Sequence, residues 1–123
     1  MAMPLALAIL LACTATDGDT LNCGGERVRL LGIDAPDLHG CRQGRQCVVG
    51  DGEAARQAIA RLIGGAALRI GRVGHDSYGR TLAVVYADGA NASCAMIAAG
   101  HAVYRRDWDN GGRVALDCPE TAL

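Results

Sequence analysis

Six cysteines, at positions 13, 23, 41, 47, 94 and 118, limit the architecture of this chain more than any other feature. Their number is even and no Cys-x-x-Cys pair occurs. Tetrahedral zinc sites draw on closely spaced Cys or His pairs, so this spacing favours disulfides over a metal cage. Disulfides point to an oxidising compartment, periplasmic or extracellular. A chain of 123 residues is one domain. Aromatic residues make up only 3% and Phe is absent, so the core must be Ala, Val, Leu and Ile. The 17 glycines favour turns and short strands over a long-helix bundle. With 50% hydrophobic residues the chain is not a disordered one. A net charge of −1 excludes a broadly basic coat for nucleic acid. All 12 basic residues are Arg. Arginine grips phosphate in a two-pronged geometry, although a GC-rich coding sequence gives the same bias.

The run Met1 to Ala12, MAMPLALAILLA, is apolar but too short to cross a bilayer, and no stable membrane insertion is expected. It has the character of the apolar part of a secretory signal and lacks the positive segment that precedes one. Leu10-Leu11-Ala12-Cys13 also resembles a lipoprotein cleavage box, which would anchor the chain at Cys13. Alternatively, Ala8 to Ala12 begin the first strand. The folded domain is assigned to 13–123.

Asp17-Gly18-Asp19-Thr20 lies between two short apolar or β-branched runs, Thr14 to Thr16 and Leu21 to Cys23, which is a hairpin signal. Arg27 to Ile33 read as one strand, with Val28 and Leu30 on one face and Arg27, Arg29 and Leu31 on the other. Pro36 stops it. A polar loop from Asp37 to Gly52 holds Cys41 and Cys47. A helix follows over Glu53 to Ile63, with Ala55, Ile59, Leu62 and Ile63 as its apolar stripe, Asp51 as N-cap and Gly64-Gly65 as its stop. Leu68 to Val73 and Thr81 to Ala87 form two further strands, joined by Gly74 to Arg80. A short helix over Ser93 to Ala99 ends at Gly100. From Arg105 the tail is polar and carries little pattern. Three strands, a helix, two strands and a helix fit a five-stranded barrel of the OB type, mainly β in an α+β class.

Three polar clusters fall at strand ends: Asp17 to Thr20, Arg29 to Asp37, and His75 to Arg80. Singly, each reads as a turn, a cap or surface charge. Together, the motifs DGDT, RVRLLGIDAPD and DSYGRTLAVVYADG, in that order, resemble the staphylococcal nuclease-like (thermonuclease) family. The resemblance runs from about Cys13 to Tyr104. It implies a Ca²⁺-dependent phosphodiesterase acting on DNA and RNA; a monomer that cuts single-stranded or frayed substrate is expected. By resemblance, Asp19 and Asp34 are metal carboxylates and the Ala35 carbonyl is a third ligand. Arg29 and Arg80 bind the scissile phosphate, and Tyr78 lies near the nucleotide phosphates. Asp37 stands where the family has a glutamate that orients the attacking water. The chemistry is consistent with these roles. Hard oxygen ligands hold a divalent cation, guanidiniums stabilise the charge of a pentacoordinate phosphorus, and a carboxylate aligns water. The chain departs from the pattern at Asp37, which is one methylene shorter, a difference of about 1.5 Å in reach.

A second departure is the short tail, where the family has a third helix. Cys118 bonded to Cys94 would replace helix packing with a covalent clamp. Cys13 and Cys23 fall on the two arms of the first hairpin, and Cys41 with Cys47 would close the loop beside Asp37. His39, His75 and His101 lack ligand spacing and read as loop or surface residues. Asn91-Ala92-Ser93 matches a glycosylation acceptor but reads better as a helix start. Arg42, Arg45, Arg105, Arg106 and Arg113 form either a local basic patch beside the site or a balance for Asp107, Asp109 and Asp117. Trp108 and Tyr104 either stack on bases or pack as a lid. The alternative function is a non-catalytic OB-type nucleic-acid-binding module, and a more distant one is a secreted structural domain with a decayed site.

Overall fold

The computed structural model describes residues 12–41 and 46–123. The possible signal run and the Ala8–Leu11 strand start, together with Arg42 and Arg45, lie outside the described residues. The first hairpin pairs β1 (Cys13–Asp17) with β2 (Thr20–Cys23) across Asp17-Gly18-Asp19-Thr20. β2 pairs in turn with β3 (Glu26–Leu30). The strand expected over Arg27–Ile33 is not continuous. It breaks at Leu31-Gly32 and resumes as β4 (Ile33–Asp34). Gly32 has φ +75°, a left-handed conformation that lets the chain turn there. The expected alternation of faces holds up to the break. Val28 and Leu30 enter the main core, whereas Leu31 enters a second cluster with Val84 and Val114.

Helix α1 (Gly52–Ile63) follows the polar connection. The Asp51 carboxylate accepts from the backbone N–H groups of Glu53 and Ala54, satisfying two donors at the helix start. Ala55, Ile59 and Ile63 face the core while Leu62 is half-buried. β5 (Leu68–His75) and β6 (Thr81–Ala87) form the second hairpin, β5 running two residues past the expected end. β7 (Ala90–Asn91) pairs with β6, and α2 (Ala92–Ala98) starts on an Asn91 cap. β8 (Val103–Tyr104) pairs with β4.

The main sheet runs β1-β2-β3-β6-β5. Counting only the five long strands, the order is 1-2-3-5-4, the OB arrangement. The crossing ladder is parallel, with Val28 opposite Thr81 and Arg29 opposite Leu82. The expected barrel is not closed: among the described residues no ladder joins β1 to β5. Both edge strands are bulged, at Ala15/Asp17 and Arg72/Gly74, and bulges bend edges out of pairing register. α1 packs against β1 instead.

The tail is better built than its sequence suggests. Two 3₁₀ turns, Arg106–Trp108 and Asn110–Gly112, lead into α3 (Arg113–Asp117). Asp109 is buried and organises them. Its carboxylate accepts from the Tyr104 hydroxyl (2.6 Å) and from the N–H groups of Val114 and Ala115 (3.0 Å each). Burial, followed by this hydrogen bond, pushes the Tyr104 phenol up to about 12. All three disulfides join as expected: Cys13–Cys23, Cys41–Cys47 and Cys94–Cys118. No helix among the described residues is long and apolar enough to cross a membrane.

Candidate active site

The first hairpin turn is pressed into the molecule. A Cβ at Gly18 would lie 2.7 Å from the Ala55 Cβ and 2.9 Å from the Ala35 Cβ, so only glycine allows this approach. The contact brings Asp19 onto the segment after β4. Asp19 Oδ2 accepts from the Ala35 N–H at 2.8 Å and lies 3.5 Å from Arg29 Nη2, while Oδ1 accepts from the Thr20 hydroxyl at 3.1 Å. Asp34, one residue before Ala35, is 1% exposed. Arg105 Nη2 stands 3.4 Å from its Oδ2.

Arg29 projects from β3 and is buried, with its Nη1 donating to the Leu30 carbonyl at 3.0 Å. Arg80 reaches the same place from the β5–β6 turn. Asp76 Oδ1 accepts from the N–H groups of Tyr78 and Arg80, and its Oδ2 accepts from Arg80 Nε at 2.6 Å. Burial works against the Asp76 charge, but the Arg80 N–H and guanidinium outweigh it and hold the carboxyl below its ordinary value. The Tyr78 ring lies 5.5 Å from the Arg80 guanidinium and is two-thirds exposed. The Tyr78 carbonyl accepts from Arg27 Nη2, tying the turn to β3.

Parallel pairing of β3 with β6 therefore sets Arg29 and Arg80 on common ground. Two adjoining depressions share Arg29, Tyr78 and Arg80. One, of about 320 Å³, is lined on its other side by Asp17, Asp19 and Asp37. The other, of about 460 Å³, is lined by Leu82, Gly32 and Trp108. Asp34 lines neither depression. It is buried beside Ala35, whose N–H meets the Asp19 carboxylate. The structure thus gathers Asp19, Arg29, Asp37, Tyr78 and Arg80 around one hollow and sets Asp34 and Ala35 behind it.

A divalent cation suits this donor set. Two buried carboxylates and a neighbouring main-chain carbonyl are hard oxygen ligands of the kind that calcium and magnesium take. A cluster of Asp37, Cys41 and Cys47 also brings ligand atoms within 4.8 Å of one another. Its sulfurs are bonded to each other, so they are not thiolate ligands. His39, His75 and His101 lie on separate elements and do not converge.

One residue enters the site that the sequence did not single out, and two whose roles it left open are drawn in. Asp17 lines the acidic hollow. Burial and then the nearby Asp19 charge push its carboxyl up. In the sequence it reads only as the first residue of a turn. Arg105 reaches Asp34 from the tail. Trp108 lies between two guanidiniums, 5.4 Å from that of Arg29 and 5.5 Å from that of Arg105. No periodicity marks either residue, since a tertiary turn brings them here.

Residues 27–121 match the family model described as staphylococcal nuclease homologue, and the chain belongs to that family. It is similar to a succinoglycan biosynthesis protein, ExoI, of Rhizobium meliloti, 36% identical over 102 residues, which cover 80% of this chain and 53% of that protein. It is also similar to an uncharacterized endonuclease of Haemophilus influenzae, 35% identical over 92 residues, which cover 71% of this chain and 47% of that one. The chain thus spans about half the length of these curated relatives.

Proposed function

We propose that this protein is a phosphodiesterase that hydrolyses DNA or RNA with the help of a divalent cation, Ca²⁺ by family resemblance. The observation that carries this reading is the convergence of Arg29, on β3, and Arg80, in the turn that leads into the parallel-paired β6, on a hollow lined by Asp19 and Asp37. Family membership and the relative named an endonuclease support it. Asp19, Asp34 and the Ala35 carbonyl would hold the cation, which supplies Lewis-acid polarisation of the phosphate. The protein's own groups do the rest. Arg29 and Arg80 bind the phosphate and match the charge that develops on its oxygens as water attacks. Asp37 accepts a hydrogen bond from the attacking water and aligns it opposite the leaving oxygen. Tyr78, Leu82 and Trp108 offer the sugar and base an apolar wall. Three disulfides suit a periplasmic or secreted enzyme.

One observation favours a second reading, a module that binds nucleic acid without cutting it. Each buried carboxylate already has a guanidinium beside it, Arg29 at Asp19 and Arg105 at Asp34. One assay separates the two. Oxidised protein is incubated with labelled single-stranded DNA and RNA in Ca²⁺, in Mg²⁺ and in chelator, beside an Arg29→Ala/Arg80→Ala variant. Cation-dependent cutting that the variant loses is the expected result. Binding without turnover in any cation would establish the module instead.

A further inference from the structure

The chain from Asp37 to Asp51 has neither helix nor strand among its described residues, yet its ends are fixed. A Cβ on Gly52 would stand 2.4 Å from the Asp37 carbonyl oxygen and 2.8 Å from the Leu38 Cα, so the first residue of α1 rests directly on the Asp37 main chain. Gly50 is held as closely against Pro36, with a Cβ there 2.8 Å from the proline ring. These contacts fix the backbone of residue 37. They do not touch its carboxylate. The Cys41–Cys47 bridge stands beside that carboxylate: a carboxylate oxygen of Asp37 and both sulfurs lie within 4.8 Å of one another.

We infer that the Cys41–Cys47 disulfide positions the Asp37 carboxylate at the reaction centre, so that the protein cleaves at full rate only with this bridge closed. This rests on the reading of Asp37 as the residue that orients water. The chemistry of a disulfide suits the task. It is rigid and weakly polar, and it offers no hydroxyl to compete for the hydrogen bond that Asp37 owes to water. An aspartate needs such a neighbour more than a longer acid does, because its shorter reach leaves less room for error. A displacement of about 1 Å costs on the order of a hundredfold in rate. The bridge is also reachable by reductant. Cys41 is exposed, whereas Cys23 of the first hairpin is buried.

The test compares kcat on single-stranded DNA in Ca²⁺ for the wild type, Cys41→Ala/Cys47→Ala, Asp37→Ala and the triple variant. Oligonucleotide binding in chelator and thermal unfolding serve as controls. The expected result is a loss of about 10- to 100-fold in kcat for the double variant, with KM and binding within about twofold. In the Asp37→Ala background the same two substitutions should change kcat by less than about twofold, since nothing remains to position. An equal loss in both backgrounds would mark the bridge as merely structural and overturn the inference. So would full activity of the double variant beside a slow Asp37→Ala. A fully active Asp37→Ala would overturn the role of Asp37 and this inference together. If the double variant does not fold, mild reduction of the folded wild type, with the opened bridge located by mass mapping, gives the same comparison.

Discussion

Arg29 and Arg80 face one hollow and are held there in opposite ways. Arg29 stands in the middle of a sheet. Its supports come from far along the chain: Asp19 on the neighbouring turn, the ring of Trp108 in the tail, and the β6 strand beside it. Arg80 is held by its own turn, through Asp76 four residues earlier. One arginine is a product of the whole fold and the other of a local motif. The difference teaches which perturbations stay local and which spread.

Replacement of Arg29 should have the largest effect. Arg29→Ala removes a proposed phosphate donor and also leaves the buried Asp19 carboxylate without its Arg29 guanidinium partner. A kcat loss of about 10³-fold is expected in single-turnover cleavage, and Arg29→Lys should recover little because the fork is lost. Arg80→Ala should cost about 10²-fold, with thermal stability unchanged. Equal losses at the two positions, with equal loss of stability, would erase the distinction drawn here.

Smaller effects follow from the supports. Asp76→Asn keeps an acceptor for the Tyr78 and Arg80 N–H groups but loses the ion pair, so kcat should fall about tenfold with the fold intact. Trp108→Ala should raise KM by about tenfold through lost stacking and a looser Arg29. Asp37→Glu, which restores the missing methylene, should raise kcat by roughly a few-fold. An unchanged or lower rate would point to a different water-orienting group. The smallest effect is one of pH. The Asp76 carboxyl is held below its ordinary value. Its stabilisation of the turn is therefore complete above that value, and is lost as pH falls through the depressed one. Acid titration followed by NMR should loosen the Arg80 turn before the Arg29 strand.

The same division explains what the sequence revealed. Asp51, Asn91 and the Asp-Gly turns act on residues two to four positions away, and the elements they bound were readable. So were Cys13–Cys23 and Cys41–Cys47, which close a hairpin and a loop already assigned, while Cys94–Cys118 was expected only as a clamp on a tail without pattern. The strand break at Gly32 was not readable, since a lone glycine within an apolar run does not announce a left-handed φ. Barrel closure was not readable either, and the two edge-strand bulges leave no mark in composition. The tail failed for a stronger reason. Its order comes from one buried carboxylate, Asp109, that serves two backbone donors and a tyrosine. In the site, Asp19, Arg29 and Asp34 stood within motifs. Arg105 and Trp108 reach it only because β8 pairs with β4 and turns the chain back.

The parallel contact between β3 and β6 has a kinetic consequence. Val28 and Thr81 are separated in the chain by a helix and a strand, and such long-range parallel pairing is slow to form. The two arginines are therefore expected to become neighbours at a late stage. A chain that is still unfolded, whether newly made or in transit across a membrane, has every residue of the hollow and no hollow. If the hollow cuts nucleic acid as proposed, cutting can begin only once this pairing has formed.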